Sequence, residues 1–365
     1  MSKKRVLLVI NTPLANAGVP HVIMSIIKGL KENYDFDLVS YSSSLDKGDR
    51  EKEFLSYGGN IYKFKVINYL KYKIFFFINY FIIKMNISKI IKKGNYDIIH
   101  CHNGIESGIV LKVAKKNDIN IRITHAHGRY DRKGKNLLLR FYNILNKNNI
   151  EKYATNKLAC SFDAGNSLYL SGKFNNVYNP VEVSKYSSIV YKKHDIINLL
   201  QIGYFCNNKN QIFSIEVLNN LISKGKSAIL YFIGFICDQN YYTSLINKIK
   251  QYKLENNVIF LDKNVEKSKY FNIIDFLLLP SFSEGLSITT LEAQSANIPC
   301  IVSSCIPKDC DCGLVKFLDN NSPQLWASYI INYKRSGQKI NQKKMGKIDL
   351  FGYCKEIEKI YTKYN

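Results

Sequence analysis

The sequence predicts an α/β fold: two tandem Rossmann-like, doubly wound domains facing a cleft. Three observations predict it. Short apolar runs alternate with helix-period stretches along most of the chain. The runs are nearly unbroken in apolar character, as strands covered on both faces are. The alternation pauses at a polar stretch, residues 184–195, and then restarts. The length agrees, because 365 residues exceed one ordinary core and suit two of roughly 150–200 residues each.

The elements follow in order. In the first half, residues 6–11, 36–41, 60–64, 97–101, 120–124 and 157–160 read as strands, with helical patterns over 19–30 and near 104–116. Residues 178–182 end this half, and 184–195 form a linker candidate. Five further strands are expected at 196–202, 228–233, 257–261, 275–279 and 299–303. Helical patterns at 211–223, 242–252, 265–273 and 287–296 separate them. The expected division is 1–180, 181–345, and a C-terminal helix in 346–365 packing back towards the N-terminal domain. Ligands in such sheets sit beyond the carboxyl ends of the strands, and here also in the cleft between domains.

Composition narrows the function classes. A hydrophobic fraction of 46% with 22% charged residues excludes wholesale disorder. The formal net charge of +23 favours anionic partners without choosing among nucleic acid, acidic lipid and phosphorylated ligands. Nine scattered cysteines, an odd count, do not read as a disulfide framework and point to a reducing compartment. The cluster Cys300, Cys305, Cys310 and Cys312 has no standard zinc spacing, and Cys300 fits a buried strand. Residues 6–10 are five apolar positions, too few for a signal h-region. The most apolar stretch, 74–83, is half the roughly twenty residues needed to cross a bilayer. No G-x-G-x-x-G occurs, and Gly225-Lys226-Ser227 precedes a strand instead of following one, so it reads as a loop closing a helix.

The most informative segment is 277–304, LLLPSFSEGLSITTLEAQSANIPCIVSS. It is a strand, loop, helix and strand in succession. Ser287 is suited to cap the helix at its start, and Asn297 to close it in the left-handed conformation. Gly285 admits close backbone approach, and free N–H groups at the helix start favour a phosphate there. Glu284 precedes that terminus and Glu292 lies inside the helix. A carboxylate accepts two hydrogen bonds, as vicinal hydroxyls of a sugar or ribose require. Two such acids could grip opposite ends of a sugar–diphosphate–nucleoside. As an isolated E-x7-E the pair would be two solvated acids. The buried strand before it and the Gly-containing turn into a helix reverse that reading.

This segment resembles the E-x7-E donor signature of the family-4 retaining glycosyltransferases of GT-B fold, and is most similar to those of bacterial capsule and exopolysaccharide synthesis. The resemblance covers most of the chain. Residues 16–20 (NAGVP, with Gly18) resemble the family's Gly-rich first loop. DIIHCH (97–102) and RITHAHG (122–128) resemble its histidine-bearing strand ends. ACSFDAG (159–165) and 179–182 resemble the run into the hinge, and GYFCNNKN (203–210) the first donor loop. The resemblance implies an N-terminal acceptor-binding domain and a C-terminal nucleotide-sugar-binding domain. It implies that Glu284 holds donor-sugar hydroxyls and acts at the catalytic centre, and that Glu292 holds the ribose. Gly18, Gly203, Gly285, Leu286 and Ser287 line the donor, Lys209 neutralises the diphosphate, and His127 sits by the reacting sugar. No metal and no cofactor is expected, because fixed cations and helix termini serve a departing diphosphate. The sequence departs from the family where Tyr204 replaces an Arg, where the first loop has only Gly18, and where Ser287 replaces a frequent Pro.

Two surfaces need separate treatment. His100, His102, His125 and His127 form two H-x-H pairs, each on one strand face and able to chelate. Strand ends facing a cleft are equally where a catalytic His127 belongs, and His100 and His125 read as structural. No acidic residue occurs between Phe54 and Tyr96, a stretch holding Lys71, Lys73, Phe75, Phe76 and Lys84. Basic and aromatic residues together suit an anionic membrane face and a lipid-linked or saccharide acceptor. The expectation is therefore a retaining hexosyltransferase using a nucleotide-sugar, UDP by family frequency. It is expected in the cytoplasm, peripheral on the inner membrane face, without a nucleic-acid partner. The alternatives are a weakened homologue serving as partner subunit, a sugar-nucleotide epimerase of the same fold, and a basic RNA-associated protein.

Overall fold

Apolar strands need cover on both faces, and each half of the chain supplies it with its own helices. The computed structural model describes residues 3–68, 76–130, 137–262, 265–335 and 340–363. Its chain divides into two units: Met1–Pro180 with Leu350–Asn365, and Val181–Asp349.

In the first unit the order is β1 (Lys4–Ile10), α1 (Gly18–Leu30), β2 (Tyr34–Ser42), α2 (Glu51–Ser56), β3 (Ile61–Lys65), α3 (Phe76–Gly94) and β4 (Ile98–Cys101). It continues with α4 (Ser107–Lys116), β5 (Ile121–Ala126), α5 (Leu137–Tyr153), β6 (Asn156–Ala159), α6 (Phe162–Leu168) and β7 (Asn175–Asn176). The strands form one sheet in the order β3-β2-β1-β4-β5-β6-β7, every pair parallel. The direction of progression reverses between β1 and β4, so loops leaving those strands diverge and open a crevice. Helix α1 buries Val22, Ile23, Ile26, Ile27 and Leu30, a helix-period stripe. Against it lies the C-terminal helix, Leu350–Thr362, which buries Tyr353, Cys354, Ile357, Ile360 and Tyr361. Gly29 permits this approach: a Cβ there would stand 2.2 Å from the Cys354 sulfur.

In the second unit α7 (Val183–Ser187) precedes β8 (Ile197–Ile202), α8 (Gln211–Ser223), β9 (Ala228–Ile233), α9 (Gln239–Gln251), β10 (Val258–Leu261) and α10 (Ser268–Phe271). Then follow β11 (Phe276–Leu279), α11 (Ile288–Ser295), β12 (Cys300–Ser303), β13 (Val315–Leu318), α12 (Pro323–Asn332) and α13 (Gln342–Ile348). The sheet order is β10-β9-β8-β11-β12-β13, again all parallel, with its reversal between β8 and β11. Buried Trp326 anchors α12 on α8 by an edge contact with Phe213, and its indole N–H donates to the Asp319 carbonyl at 2.9 Å.

Several expectations change. The linker candidate 184–195 begins inside α7, which packs on α11 and buries Tyr186. Helix α10 spans four residues, shorter than the predicted 265–273. Phe76, expected on a surface, is buried against Tyr142 of α5 with ring centroids 5.2 Å apart. The stripe Phe76, Ile83, Ile87 and Ile91 of α3 turns inward, because every third or fourth residue shares a face. Asn79, polar inside that stripe, is satisfied by pairing both ways with the Ile67 backbone at 2.8 Å. Lys84 is exposed, whereas Lys71, Lys73 and Phe75 lie outside the described residues. All nine cysteines are free, and Cys300 lies in buried β12.

Candidate active site

Two loops of the second unit leave β8 and β11, the strands flanking its reversal. The first, residues 203–210, begins with Gly203, whose N–H donates to the Ile233 carbonyl at 2.9 Å. A Cβ on Gly234 would stand 2.0 Å from the Gly203 oxygen, so the loop base requires glycine there. Tyr204 packs its ring on Phe235, centroids 4.2 Å apart. A short 3-10 turn, Asn207–Lys209, and left-handed Asn210 (φ 51°) lead into α8. The Gln201 amide donates to the Lys209 carbonyl at 2.7 Å and pins the turn. We expect Gly234→Ala to cost about 1–3 kcal/mol through overpacking. Thermal unfolding should then fall by several degrees, and donor KM should rise, because the displaced Gly203 carries the Lys209 loop with it.

The second loop, residues 280–287, is laced to the first. The Phe282 N–H donates to the Asn208 carbonyl and the Asn208 amide to the Ser283 carbonyl, both at 2.9 Å. Ser287 caps α11, accepting from the Thr290 N–H at 3.3 Å. Leu286 is buried, which fixes the loop from inside. Glu284 forms a close ion pair with Lys209, both side chains only partly exposed. The predicted Lys209, Glu284, Gly285, Leu286 and Ser287 thus stand together at the α11 N-terminus, where the first helical N–H groups lack intrahelical partners.

Glu292 is buried one turn further along α11. It accepts from the Tyr186 hydroxyl at 3.0 Å and pairs closely with Lys267. Burial and the Glu292 carboxylate raise the Tyr186 phenol well above its ordinary value. Sequence reasoning missed both partners: Tyr186 lies in the supposed linker, and Lys267 is one lysine among many. Each acid of the E-x7-E pair therefore carries its own lysine.

In the first unit, β4 and β5 end in the histidines. His102 Nδ1 lies 2.8 Å from His127 Nε2, and His100 Nδ1 3.0 Å from the Tyr361 hydroxyl. Burial pushes His127 down to about 3, the Asn179 side chain opposing. Gly18 starts α1, exposed, with nothing within 4 Å of an added Cβ. A network absent from the sequence reading lies beside β4: the Tyr41 hydroxyl donates to Glu106 at 2.8 Å, and the Asn103 amide to that hydroxyl at 2.7 Å. Burial raises the Glu106 carboxyl against the Tyr41 and Asn11 hydrogen bonds.

Comparisons with known proteins agree on a class. The family described as "Glycosyltransferase Family 4" matches residues 17–161, and "Glycosyl transferases group 1" matches 186–311. The capsular polysaccharide biosynthesis glycosyltransferase CapH of Staphylococcus aureus is 26% identical over 349 residues, 93% of each chain. An Escherichia coli UDP-Gal:alpha-D-GlcNAc-diphosphoundecaprenol alpha-1,3-galactosyltransferase is 24% identical over 62% of each chain. Among solved structures, Anabaena HepE with UDP and glucose superposes with a TM-score of 0.78 at 12% identity, over 99% of this chain and all of that one.

Proposed function

The chain is a family-4 glycosyltransferase of GT-B fold, and from that premise we propose a retaining transferase that moves a sugar from UDP onto a lipid-linked saccharide in surface-polysaccharide assembly. One observation carries the proposal. Lys209 and Glu284 meet at the N-terminus of α11, between the two loops that flank the sheet reversal. That constellation suits a sugar diphosphate: Lys209 and the helix N–H groups face the charge that develops on the leaving diphosphate. Glu284 receives sugar hydroxyls once Lys209 turns to the phosphate, and Glu292 receives those of the ribose. His127, neutral at working pH, serves the sugar being transferred. Gly18, Gly203, Gly285, Leu286 and Ser287 complete the donor set, and no metal is assigned to this step. UDP is supported by the HepE complex, and a lipid-linked acceptor by the coli transferase.

The test is transfer from a panel of UDP- and GDP-sugars to lipid-linked and free saccharides, with the product anomer read by NMR. Failure of every donor would favour a weakened partner subunit, for which Tyr204 in place of a cation speaks. Release of an altered sugar without acceptor would favour an epimerase.

Acceptors on lipid require membrane contact. No described helix is long and apolar enough to cross a bilayer. Helices α3 and α5 touch through Phe77 and Tyr142, and expose Phe81 and Met85 on one, Leu137 and Phe141 on the other. Exposed apolar side chains beside Lys84 and Arg140 suit the interface of an anionic membrane. We expect flotation with vesicles containing phosphatidylglycerol, at least tenfold weaker with neutral vesicles and lost in Phe81→Asp/Phe141→Asp. Equal flotation of that variant would refute the contact.

A further inference from the structure

The four histidines of the first unit form one buried group, of which the proposed transfer step uses His127 alone. His100 and His102 alternate on β4 and its end, and His125 and His127 on β5 and its end, so all four share one sheet face. Their rings pack together: centroids lie 4.2 Å apart within each pair and 5.5 Å between His102 and His125. Buried imidazole nitrogens ordinarily find partners. Here His100 and His102 each satisfy Nδ1 only, on the Tyr361 hydroxyl and on His127, leaving both Nε2 atoms buried and unpartnered among the described residues. Neither His125 nitrogen makes a hydrogen bond of ordinary geometry. One nitrogen each from His100, His102 and His125 lies within 4.8 Å of the others.

We propose that His100, His102 and His125 bind a divalent transition-metal ion of zinc type, with a fourth position open to water or a small anion. The nitrogen inventory is what such a site requires. A metal-bound imidazole uses one nitrogen and fixes its ring through the other, and the Nδ1 contacts of His100 and His102 do this already. Tetrahedral zinc with N ligands needs nitrogens about 3.4 Å apart, which modest ring rotation supplies. Carboxylate and thiolate are absent from the set, so imidazole-preferring zinc, cobalt and nickel are favoured over magnesium or calcium. The ion would join the ends of β4 and β5 and, through Tyr361, hold the C-terminal helix. Its test reads metal uptake and melting, so the outcome does not depend on the role given to His127 in transfer.

The experiment uses the full chain without a histidine tag, dialysed against chelator and titrated with Co²⁺ and Zn²⁺. The expected result is one Co²⁺ per chain with the visible absorption of a four-coordinate site, displaced by Zn²⁺, and a rise in melting temperature with Zn²⁺. Tyr361→Phe should weaken binding about 10- to 100-fold by freeing the His100 ring. Folded His125→Asn should lose the Co²⁺ spectrum, whereas His194→Asn, in the other unit, should keep it. A folded wild type that takes up no stoichiometric Co²⁺ overturns the proposal and assigns the free nitrogens to buried water. Undiminished binding in both His125→Asn and Tyr361→Phe overturns it equally, and if His125→Asn does not fold, Tyr361→Phe decides.

Discussion

Lys209→Ala is expected to lower kcat/KM for sugar transfer by about a hundred- to a thousandfold, the cost of one preorganised group facing developing charge. Three observations set this size. The lysine stands at the end of a pinned turn, its carbonyl held by Gln201, so its ammonium group is delivered to one place. The family's usual neighbouring arginine is Tyr204 here, its ring committed to Phe235, so no second loop cation shares the task. The charge on the diphosphate grows as the glycosidic bond breaks, so the loss should fall mainly on kcat and less on KM. Stability should change little, about 1 kcal/mol or less, because the pair with Glu284 is partly exposed. Lys209→Arg keeps the cation and should recover part of the rate. Unchanged melting with turnover within tenfold of the natural chain would sink the assignment.

Glu292→Ala is expected to destabilise the second unit by about 2–4 kcal/mol and to weaken nucleotide binding. The carboxylate is buried, holding the Tyr186 hydroxyl and Lys267. Its removal strands a cation and a phenol, and breaking a buried pair from one side costs more than the pair itself contributes. Lys267 is 27% exposed, which moderates the cost because water reaches it. Unfolding should therefore occur about 5–10 °C lower. Two effects can be separated. Adding Lys267→Met to Glu292→Ala removes the stranded charge and should restore most of the melting temperature. It should leave UDP binding weak, because the acid proposed to take the ribose hydroxyls is still missing. Calorimetric titration with UDP reads the second effect. Full recovery of binding in the double variant would make Glu292 a structural residue only.

The fold class was legible because a parallel strand covered on both faces must be apolar throughout, and such runs stand out between helical periods. Strand β9 and helix α8 coincide with their predicted bounds. Helix α5 was not seen, because its polar residues and exposed Leu137, Leu138 and Phe141 blur any single apolar stripe. Tyr186 was hidden inside a polar stretch, and its burial depends on α11, a hundred residues away. Glu106 and Tyr361 were equally unreadable: one is buried and held by the Tyr41 hydroxyl from another strand, the other is an aromatic in a helix whose target lies on β4.

The sequence by itself determined the two parallel sheets and the loop-to-helix turn bearing Glu284 and Glu292, since periodicity, capping and turn chemistry are local properties of neighbouring residues. Only the tertiary structure decided which charges meet: Lys209 on Glu284, Lys267 and Tyr186 on Glu292, and four imidazoles on one face with five of their eight nitrogens lacking a hydrogen bond of ordinary geometry. The reason is physical. A hydrogen bond or ion pair depends on ångström distances between residues remote in the chain, and those distances are set by how strands order in a sheet and helices cover it.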